Sequence, residues 1–524
     1  MSLSANDAGK LEVLPMSIEA NLREMERSRE IYWLRYPSTS PLKLHWRAVA
    51  VRHCLHVLPA ESILELGAGS GLWTEHLTQV LKGRNPITAA VFNKDLAVRL
   101  EAKRLTSLTV LHVDDSLADI PADSFDYVVG TAILCHDMYA HNLRELHRIL
   151  KPGGQILFFE ANHWNPQVFV KNAIPMIGRW AGQSSCQTAM RKFKLMKTAS
   201  DQGFTNIDIV PFDIVHPRIP RVLVHLLQSA SFILEHAPLI KEVCGTLYIW
   251  AKKPGGPEVR RWVDLTDHEA LFGSTSVVVP CHNEEANIPR LVNGLTQMYG
   301  RYIREIILVN DNSKDRTAEV ALEVAKQEPR VKLINRTPPN GVGRALRDGY
   351  AAASGRYILT MDSDFLHILP EFRDLFDAIA RNKDGAIGSR FSYESMLVNY
   401  PFAKILANRG FHVLVNLFFR IRVRDLSNNL KLYRAEILKN LIIEQPHFAA
   451  NAETGLKPLL AGYDIEEVPI SWINRSIDMG TSTFNVAKVA PAYFRALMSI
   501  IWHGRSVKKH TLARTAAAGK AGSS

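Results

Sequence analysis

Ile63-Leu64-Glu65-Leu66-Gly67-Ala68-Gly69-Ser70-Gly71-Leu72 reads as a buried strand running into a glycine-rich turn, with a helix beginning near Trp73. Glycines suit that place because the backbone must turn sharply and bring N–H groups close to a ligand at a helix N-terminus. A dinucleotide fingerprint would need a third small residue at position 72 or 74, and the chain has Leu72 and Thr74, so the spacing suits another cofactor. Working outward, ILEL (63–66), ITAAVF (87–92), LTVLHV (108–113), FDYVVG (125–130) and QILFFE (155–160) alternate with helical stretches. That βαβ alternation predicts a doubly wound parallel sheet.

The run KKPGGPEVRRW, Lys252 to Trp262, cannot hold a regular element and reads as a linker. Beyond it SVVVP (276–280), EIILVN (305–310), VKLI (331–334), RYILTMD (356–362) and GAIGSR (385–390) predict a second α/β sheet. Polar residues follow its strands: Asn283 and Glu284, Asp311 and Asn312, then Asp362-Ser363-Asp364. Open α/β sheets bind ligands at the carboxyl ends of their strands, so these are candidate nucleotide contacts. Two carboxylates two apart at a strand end can share one hard divalent cation that holds a diphosphate.

The chain has 524 residues, 47% hydrophobic and 22% charged, an ordinary globular composition for two to four domains. Its five cysteines are scattered without a C-x-x-C pair, which argues against a disulfide framework or a zinc site. The first thirty residues lack the apolar core of a signal peptide, and no apolar run is long enough to span a bilayer. The expectation is a cytoplasmic protein, peripheral at most on the inner face of the cytoplasmic membrane. Of the net charge of +11, seven charges fall after Asp478, on Lys488, Arg495, Arg505, Lys508, Lys509, Arg514 and Lys520. Phe494, Leu497, Ile500 and Ile501 recur there at helical spacing, followed by Trp502. Two readings stay open: an interfacial helix on a membrane surface, or a helix packed on its own domain before a solvated tail. No nucleic-acid-binding module accompanies the basic tail, so a nucleic-acid partner is not expected.

The first half resembles the class I S-adenosylmethionine-dependent methyltransferases over about residues 45 to 254. Beyond the glycine loop the likeness includes Asp114 and Asp115 after the third strand, Pro121, Phe125-Asp126, and LRELHRILKPGG from Leu143 to Gly154. It implies a Rossmann-like fold with S-adenosylmethionine held by Glu65, Gly67, Gly69, Gly71, Asp114 and Asp115. The family places an acidic residue at the end of strand two for the ribose hydroxyls, where this chain aligns Val91, with Asn93 and Asp95 beyond. A methyltransferase-like module that binds or scaffolds without methylating is the alternative. His136 and His163 follow strands four and five, where a base would sit.

The second half resembles family two glycosyltransferases of the GT-A fold, and among them the dolichol- and polyprenyl-phosphate mannose synthases, from about Ser276 to Phe484. The matching segments are PCHNEE, VNDNSKDRT, NGVGRALRDGYAAASG, MDSDFLHILPEF, GSRF, a helix start at Asn408-Arg409, DLSNNLKLY, AETGLKPLLAGYDIEEVPISW and NRSIDMGTSTF. The resemblance implies nucleotide-sugar contacts from Pro280, Asn283, Glu284, Asp311 and Asp362, with Arg475 and Ser482 closing over the diphosphate. It implies Mg²⁺ or Mn²⁺ on Asp362 and Asp364, near His367, and phosphate contacts from Arg390 and Arg409. Glu453 would face the donor sugar or the acceptor. The chain departs from the pattern at Asn428-Asn429-Leu430, at Lys431 and at Thr483.

A lipid-phosphate acceptor is ionised at pH 7 and needs positioning, not a strong base. A sugar-hydroxyl acceptor needs a carboxylate to take its proton, and Glu453 is the candidate. The expected layout is an N-terminal helical extension (1–44), a methyltransferase-like domain (45–254), a linker (255–272), a GT-A domain (273–487) and a basic amphipathic segment with tail (488–524). The expected activity is transfer of a hexose, with inversion, from a nucleotide diphosphate sugar to a polyprenyl phosphate or an envelope glycolipid precursor. The alternative is a polysaccharide glycosyltransferase with a non-catalytic first domain.

Overall fold

The structure, a computed structural model, describes residues 3–5, 11–13, 18–113, 117, 119–134, 139–174, 176, 191–215, 219–256, 263–473, 486 and 488–502. The chain divides into two compact units, Met1–Arg261 and Trp262–Ser524.

The first unit opens with two short antiparallel strands, β1 (Leu3–Ala5) and β2 (Leu11–Val13), and two helices, α1 (Ile18–Leu34) and α2 (Ser40–Leu55). The sheet follows from β3 (Ile63–Leu66), β4 (Ile87–Val91), β5 (Leu108–His112), β6 (Phe125–Thr131), β7 (Leu150–Ala161), β8 (Thr205–Phe212) and β9 (Thr246–Lys252). Between the strands lie α3 (Thr74–Val80), α4 (Lys94–Glu101), α5 (Tyr139–Ile149), α6 (Pro166–Ala173), α7 (Lys192–Asp201) and α8 (Arg221–Leu234). The strand order is β5-β4-β3-β6-β7-β9-β8. β3 is central and all four of its residues are buried, which is why ILEL carries no polar alternation beyond Glu65. The five strands read from sequence are parallel, as expected, but β9 runs antiparallel to both β7 and β8. That pair was not legible as strands, and it makes the sheet mixed.

The N-terminal segment is part of this unit's core. Leu22 and Met25 of α1 are buried with Phe92, Val128 and Phe158, and α2 begins at Ser40, so a division at residue 45 would cut a helix. Leu22, Met25, Glu26, Arg29, Glu30 and Trp33 are all buried and make one stripe along α1 at spacings of three and four.

The second unit contains β10 (Thr275–Cys281), α9 (Ile288–Tyr299), β11 (Ile303–Asn310), α10 (Thr317–Gln327), β12 (Val331–Asn335), α11 (Val342–Ala352), β13 (Tyr357–Thr360), α12 (Phe372–Ala380) and β14 (Gly385–Ser389). After these come β15 (Met396–Val398), α13 (Phe402–Phe419), β16 (Lys431–Arg434), α14 (Ala435–Lys439), α15 (Ala450–Leu460), β17 (Ile465–Pro469) and β18 (Ser471–Ile473). The main sheet has the order β12-β11-β10-β13-β16-β14-β17, with β16 antiparallel to both neighbours, and β15 pairs separately with β18. The chain is helical again over 488–502. Asn408 and Arg409, expected at a helix start, lie in the middle of α13, which is one continuous helix of 18 residues. Among the described residues no helix is long and apolar enough to cross a membrane.

Candidate functional site

In the second unit β10 pairs in parallel with β11 on one side and β13 on the other. Their carboxyl ends therefore lie side by side, and each leads into one of the polar loops singled out from sequence. The first two loops are laced together. Asn283 donates its N–H to Ser313 Oγ at 3.0 Å and accepts from the Lys314 N–H at 2.9 Å. Glu284 N–H reaches Thr317 Oγ1 at 2.8 Å, and Glu285 accepts from the Arg316 N–H at 3.0 Å. Asn283 and Asn312 both take positive φ, 59° and 53°, which asparagine tolerates better than most residues. Asp311 accepts from the Gly341 N–H at 2.6 Å and pairs with Arg336, so its carboxylate pins the loop ahead of α11.

Asp362 and Asp364 follow β13 by two and four residues. Asp362 is half-buried and Asp364 buried. Asn429 donates its side-chain amide to Asp362 Oδ1 at 2.6 Å. Lys431, also buried, reaches Asn451 O and Thr454 Oγ1, both at 2.8 Å. Burial pushes its ammonium down to about 7 against the opposing pull of Asp425 and Asp362. Among the described residues no three His, Cys, Asp or Glu side chains converge as a complete metal cage. Two oxygen donors still suit Mg²⁺ or Mn²⁺, which are commonly held by one or two carboxylates plus substrate phosphates and water.

Arg390 is gathered around Asp425. Its Nε lies 2.7 Å from Asp425 Oδ2 and its Nη2 3.0 Å from Oδ1, while Nη1 reaches the Tyr400 hydroxyl at 3.2 Å. Burial alone would raise the Asp425 carboxyl, yet the charge and hydrogen bonds of Arg390 hold it well below the usual carboxylate range. Asn408 adds a hydrogen bond to Asp425 Oδ1 at 3.0 Å. His412 accepts from the Leu426 N–H at 2.8 Å and is pushed down to about 4 by burial, so it is neutral. The Arg390 guanidinium lies 5.9 Å from the Trp472 ring centroid. Arg409 bonds the Arg424 carbonyl at 3.0 Å and sits over Phe391, with no ion pair among the described residues. Of the two arginines it carries the less neutralised charge.

Glu453 is placed otherwise than its motif suggested. It is fully buried on α15, accepts from the Gln445 N–H at 2.8 Å and pairs with Lys457 at 2.6 Å. One oxygen ties the helix to the preceding loop, and the other pairs with Lys457 one turn along the same helix. Arg475 and Ser482 lie outside the described residues. Sequence reasoning missed Asp425 as a partner of the site, and it singled out Asn429 as a departure from the family pattern without its bond to Asp362. Asp425 opens the quoted DLSNNLKLY segment, between Arg424 and Leu426.

In the first unit Gly67, Gly69 and Gly71 all take positive φ, between 60° and 80°, which requires glycine for an unstrained turn. Glu65 is buried, one of its oxygens has no hydrogen-bond partner, and burial pushes its carboxyl up to about 7. Asp114, Asp115 and His136 lie outside the described residues, and His163 lies 3.5 Å from the Arg191 guanidinium. β4 ends at Val91 as aligned, and the following Phe92 is buried against α1. Asp95 is exposed and pairs with Arg27 at 3.1 Å. The loop is already engaged. Glu26 of α1 accepts from Gly69 N–H at 3.1 Å and Asn93 N–H at 2.9 Å, Glu30 accepts from Ser70, and Arg29 bonds the Gly67 and Thr131 carbonyls. In this arrangement those loop groups are bonded to α1 and not open to a ligand.

Residues 276–442 match the family described as glycosyl transferase family 2, and residues 40–188 match the ubiE/COQ5 methyltransferase family. The chain carries a family 2 glycosyltransferase domain in its C-terminal half and a ubiE/COQ5-type methyltransferase domain in its N-terminal half. The polyprenol monophosphomannose synthase of Mycolicibacterium smegmatis is 26% identical over 233 residues, which cover 42% of this chain and 84% of that protein. The dolichol-phosphate mannosyltransferase of Pyrococcus furiosus is 33% identical over 153 residues, 29% of this chain and 43% of that protein. A dolichyl-phosphate beta-glucosyltransferase of Trichomonas vaginalis is 28% identical over 257 residues, 45% of this chain and 78% of that protein.

Proposed function

We propose that the chain is a metal-dependent, inverting glycosyltransferase that moves a hexose from a nucleotide diphosphate sugar to a polyprenyl phosphate or a related envelope glycolipid precursor. The observation that carries this reading is the convergence of three loops, at Asn283-Glu284, Asp311 and Asp362-Ser363-Asp364, on adjacent parallel strand ends. In this reading Pro280, Asn283, Glu284 and Asp311 hold the nucleotide, and Asp362 and Asp364 are the protein ligands of Mg²⁺ or Mn²⁺. A cation held by these two carboxylates would supply positive charge to the leaving diphosphate. Arg409, the less neutralised cation, positions the acceptor phosphate, while Arg390, locked to Asp425, shapes the wall beside it. Arg475 and Ser482 keep their proposed place over the diphosphate. A lipid phosphate oxygen attacks the anomeric carbon from the face opposite the nucleotide, the bond to the diphosphate breaks, and no proton need be removed. Glu453, with both oxygens engaged, serves the fold, which favours this acceptor over a sugar hydroxyl.

We infer a peripheral seat on a membrane from two helices. α13 exposes Leu406, Val413, Leu417 and Phe418, and the stretch 488–502 exposes Phe494 and Trp502 while burying Leu497 and Ile500 in its own unit. This combines both readings of the C-terminal helix: it packs on its domain and offers an apolar edge to a headgroup layer. The division into a methyltransferase-like domain ending near residue 254 and a GT-A domain over 273–487 is likewise our own, with α1 and α2 belonging to the first in place of a separate extension ending at 44.

Mass spectrometry of the full chain incubated with Mg²⁺, UDP- and GDP-hexoses and a short polyprenyl phosphate tests the reading, with Asp364→Ala as the blank. The expected product is a hexosyl lipid phosphate formed by the native chain only. Nucleotide-sugar hydrolysis with unmodified lipid would overturn the acceptor assignment, and equal turnover in Asp364→Ala would overturn the metal site.

A further inference from the structure

We propose that α1 is an internal ligand of the glycine-loop cleft and must withdraw before an S-adenosyl compound binds. The proposal rests on reading that loop as a cofactor site. Backbone N–H groups at a glycine turn ahead of a helix are donors for an anionic or hydroxyl-bearing ligand. Here α1 has taken them. The fully buried Glu26 accepts from Gly69 N–H at 3.1 Å, from Phe92 N–H at 3.1 Å, and from Asn93 through its N–H at 2.9 Å and its side-chain amide at 2.7 Å. One turn on, Glu30 accepts from Ser70 N–H at 3.4 Å and from the Ser70 hydroxyl. Between them Arg29 donates to the Thr131 carbonyl at 2.7 Å and to the Gly67 carbonyl.

Glu26, Arg29 and Glu30 stand three and four residues apart, so one face of one helix presents all three groups to the cleft. The approach leaves no spare room, because a Cβ placed on Gly69 would stand 3.0 Å from a Glu30 carboxylate oxygen. Apolar contacts close the adjoining end, where Phe92, directly after β4, is buried with Leu22 and Met25. A carboxylate that is wholly buried and saturated with four donors has no face left for ribose hydroxyls. Glu26 therefore competes with the cofactor and does not assist it. A protein whose binding-competent form is the minor one shows an affinity reduced by that fraction, and weakening the closed form restores it.

The test uses the full chain and S-adenosylhomocysteine as probe, with affinity read by isothermal titration calorimetry. Glu26→Ala combined with Glu30→Ala should bind about tenfold or more tightly than the native chain. Arg27→Ala, altering the exposed partner of Asp95, should leave the affinity unchanged. Unchanged or weaker binding in the double variant overturns the proposal, and weaker binding would make Glu26 a cofactor contact instead. Hydrogen exchange on the native chain gives a readout independent of how the variant folds: saturating probe should speed exchange of the amides of residues 18–34. Binding with those amides equally or better protected overturns the displacement while leaving the cofactor reading intact. No binding by either protein overturns both.

Discussion

Asn429 donates its side-chain amide to Oδ1 of Asp362 at 2.6 Å, and the amide oxygen left over is buried without a partner. The contact joins the segment ahead of β16 to the loop after β13, fixing one carboxylate oxygen of the proposed metal pair. Partners that orient a ligating group usually matter to metal affinity by about 10- to 100-fold. Asn429→Ala should therefore raise the Mg²⁺ concentration needed for half-maximal turnover by roughly tenfold or more, with little change in thermal stability. A metal titration of turnover checks it. An unchanged metal requirement would show that Asp362 needs no such support.

The Arg390–Asp425 pair is sealed from solvent on the acid's side, so removing one charge strands the other. Asp425→Asn should destabilise the second unit by about 3–5 kcal/mol, read from urea denaturation. Because the folded carboxyl is held below its ordinary value, its contribution is present above about pH 4 and is lost as pH falls through the folded value. The native protein should therefore lose stability more steeply than Asp425→Asn below about pH 4.

Glu453→Gln separates structural from chemical use of that residue. With both carboxylate oxygens accepting from Gln445 and Lys457, the substitution should cost roughly 1–3 kcal/mol of stability while sparing turnover of a lipid-phosphate acceptor. Abolished turnover in a variant that melts like the native chain would restore Glu453 as a general base.

Glu160 in the first unit behaves in the opposite sense to Asp425. Its carboxyl accepts from the Ile133 and Leu134 N–H groups, both at 3.0 Å, and burial pushes it up to about 7. The folded form then keeps a proton that the unfolded chain releases, so its contribution falls as pH rises from about 4.5 to about 7. Glu160→Gln should flatten that decline, by on the order of 1 kcal/mol per pH unit at most, in thermal melts between pH 5 and 8. A parallel decline in native and variant proteins would remove Glu160 as its source.

The strands carrying the two sites were legible because each is a short apolar run that ends at a glycine turn or a polar residue, as ILEL ends at Gly67 and YILTM at Asp362. β9 and β16 were not. TLYIWAK lies between Gly245 and Pro254-Gly255-Gly256, and KLYR follows Asn428-Asn429, but the antiparallel place of each is set by neighbours far along the chain. The motif residues landed where the strand ends put them, but their partners did not announce themselves. Arg390 reads as a free cation until Asp425 is seen against it, and Glu453 reads as a reactive acid until Lys457 closes over it. The stripe on α1 was the largest omission. Glu26, Arg29 and Glu30 fall on the same face as Leu22, Met25 and Trp33, a mixture of charge and apolar positions that looks like weak amphipathicity in sequence. It makes sense only when the opposing surface is seen to carry backbone N–H groups for the two acids and backbone carbonyls for the arginine.

The cross-bonding of the loops after β10 and β11 has a bearing on how a nucleotide arrives. Asn283, Glu284 and Glu285 are held to Ser313, Lys314, Arg316 and Thr317 by bonds made within the chain. Their backbone is thus arranged when the protein folds, and docking a base and ribose there immobilises little that was loose beforehand. The encounter should resemble a key entering a finished lock, and the conformational adjustment that catalysis needs must come from some other part of the chain.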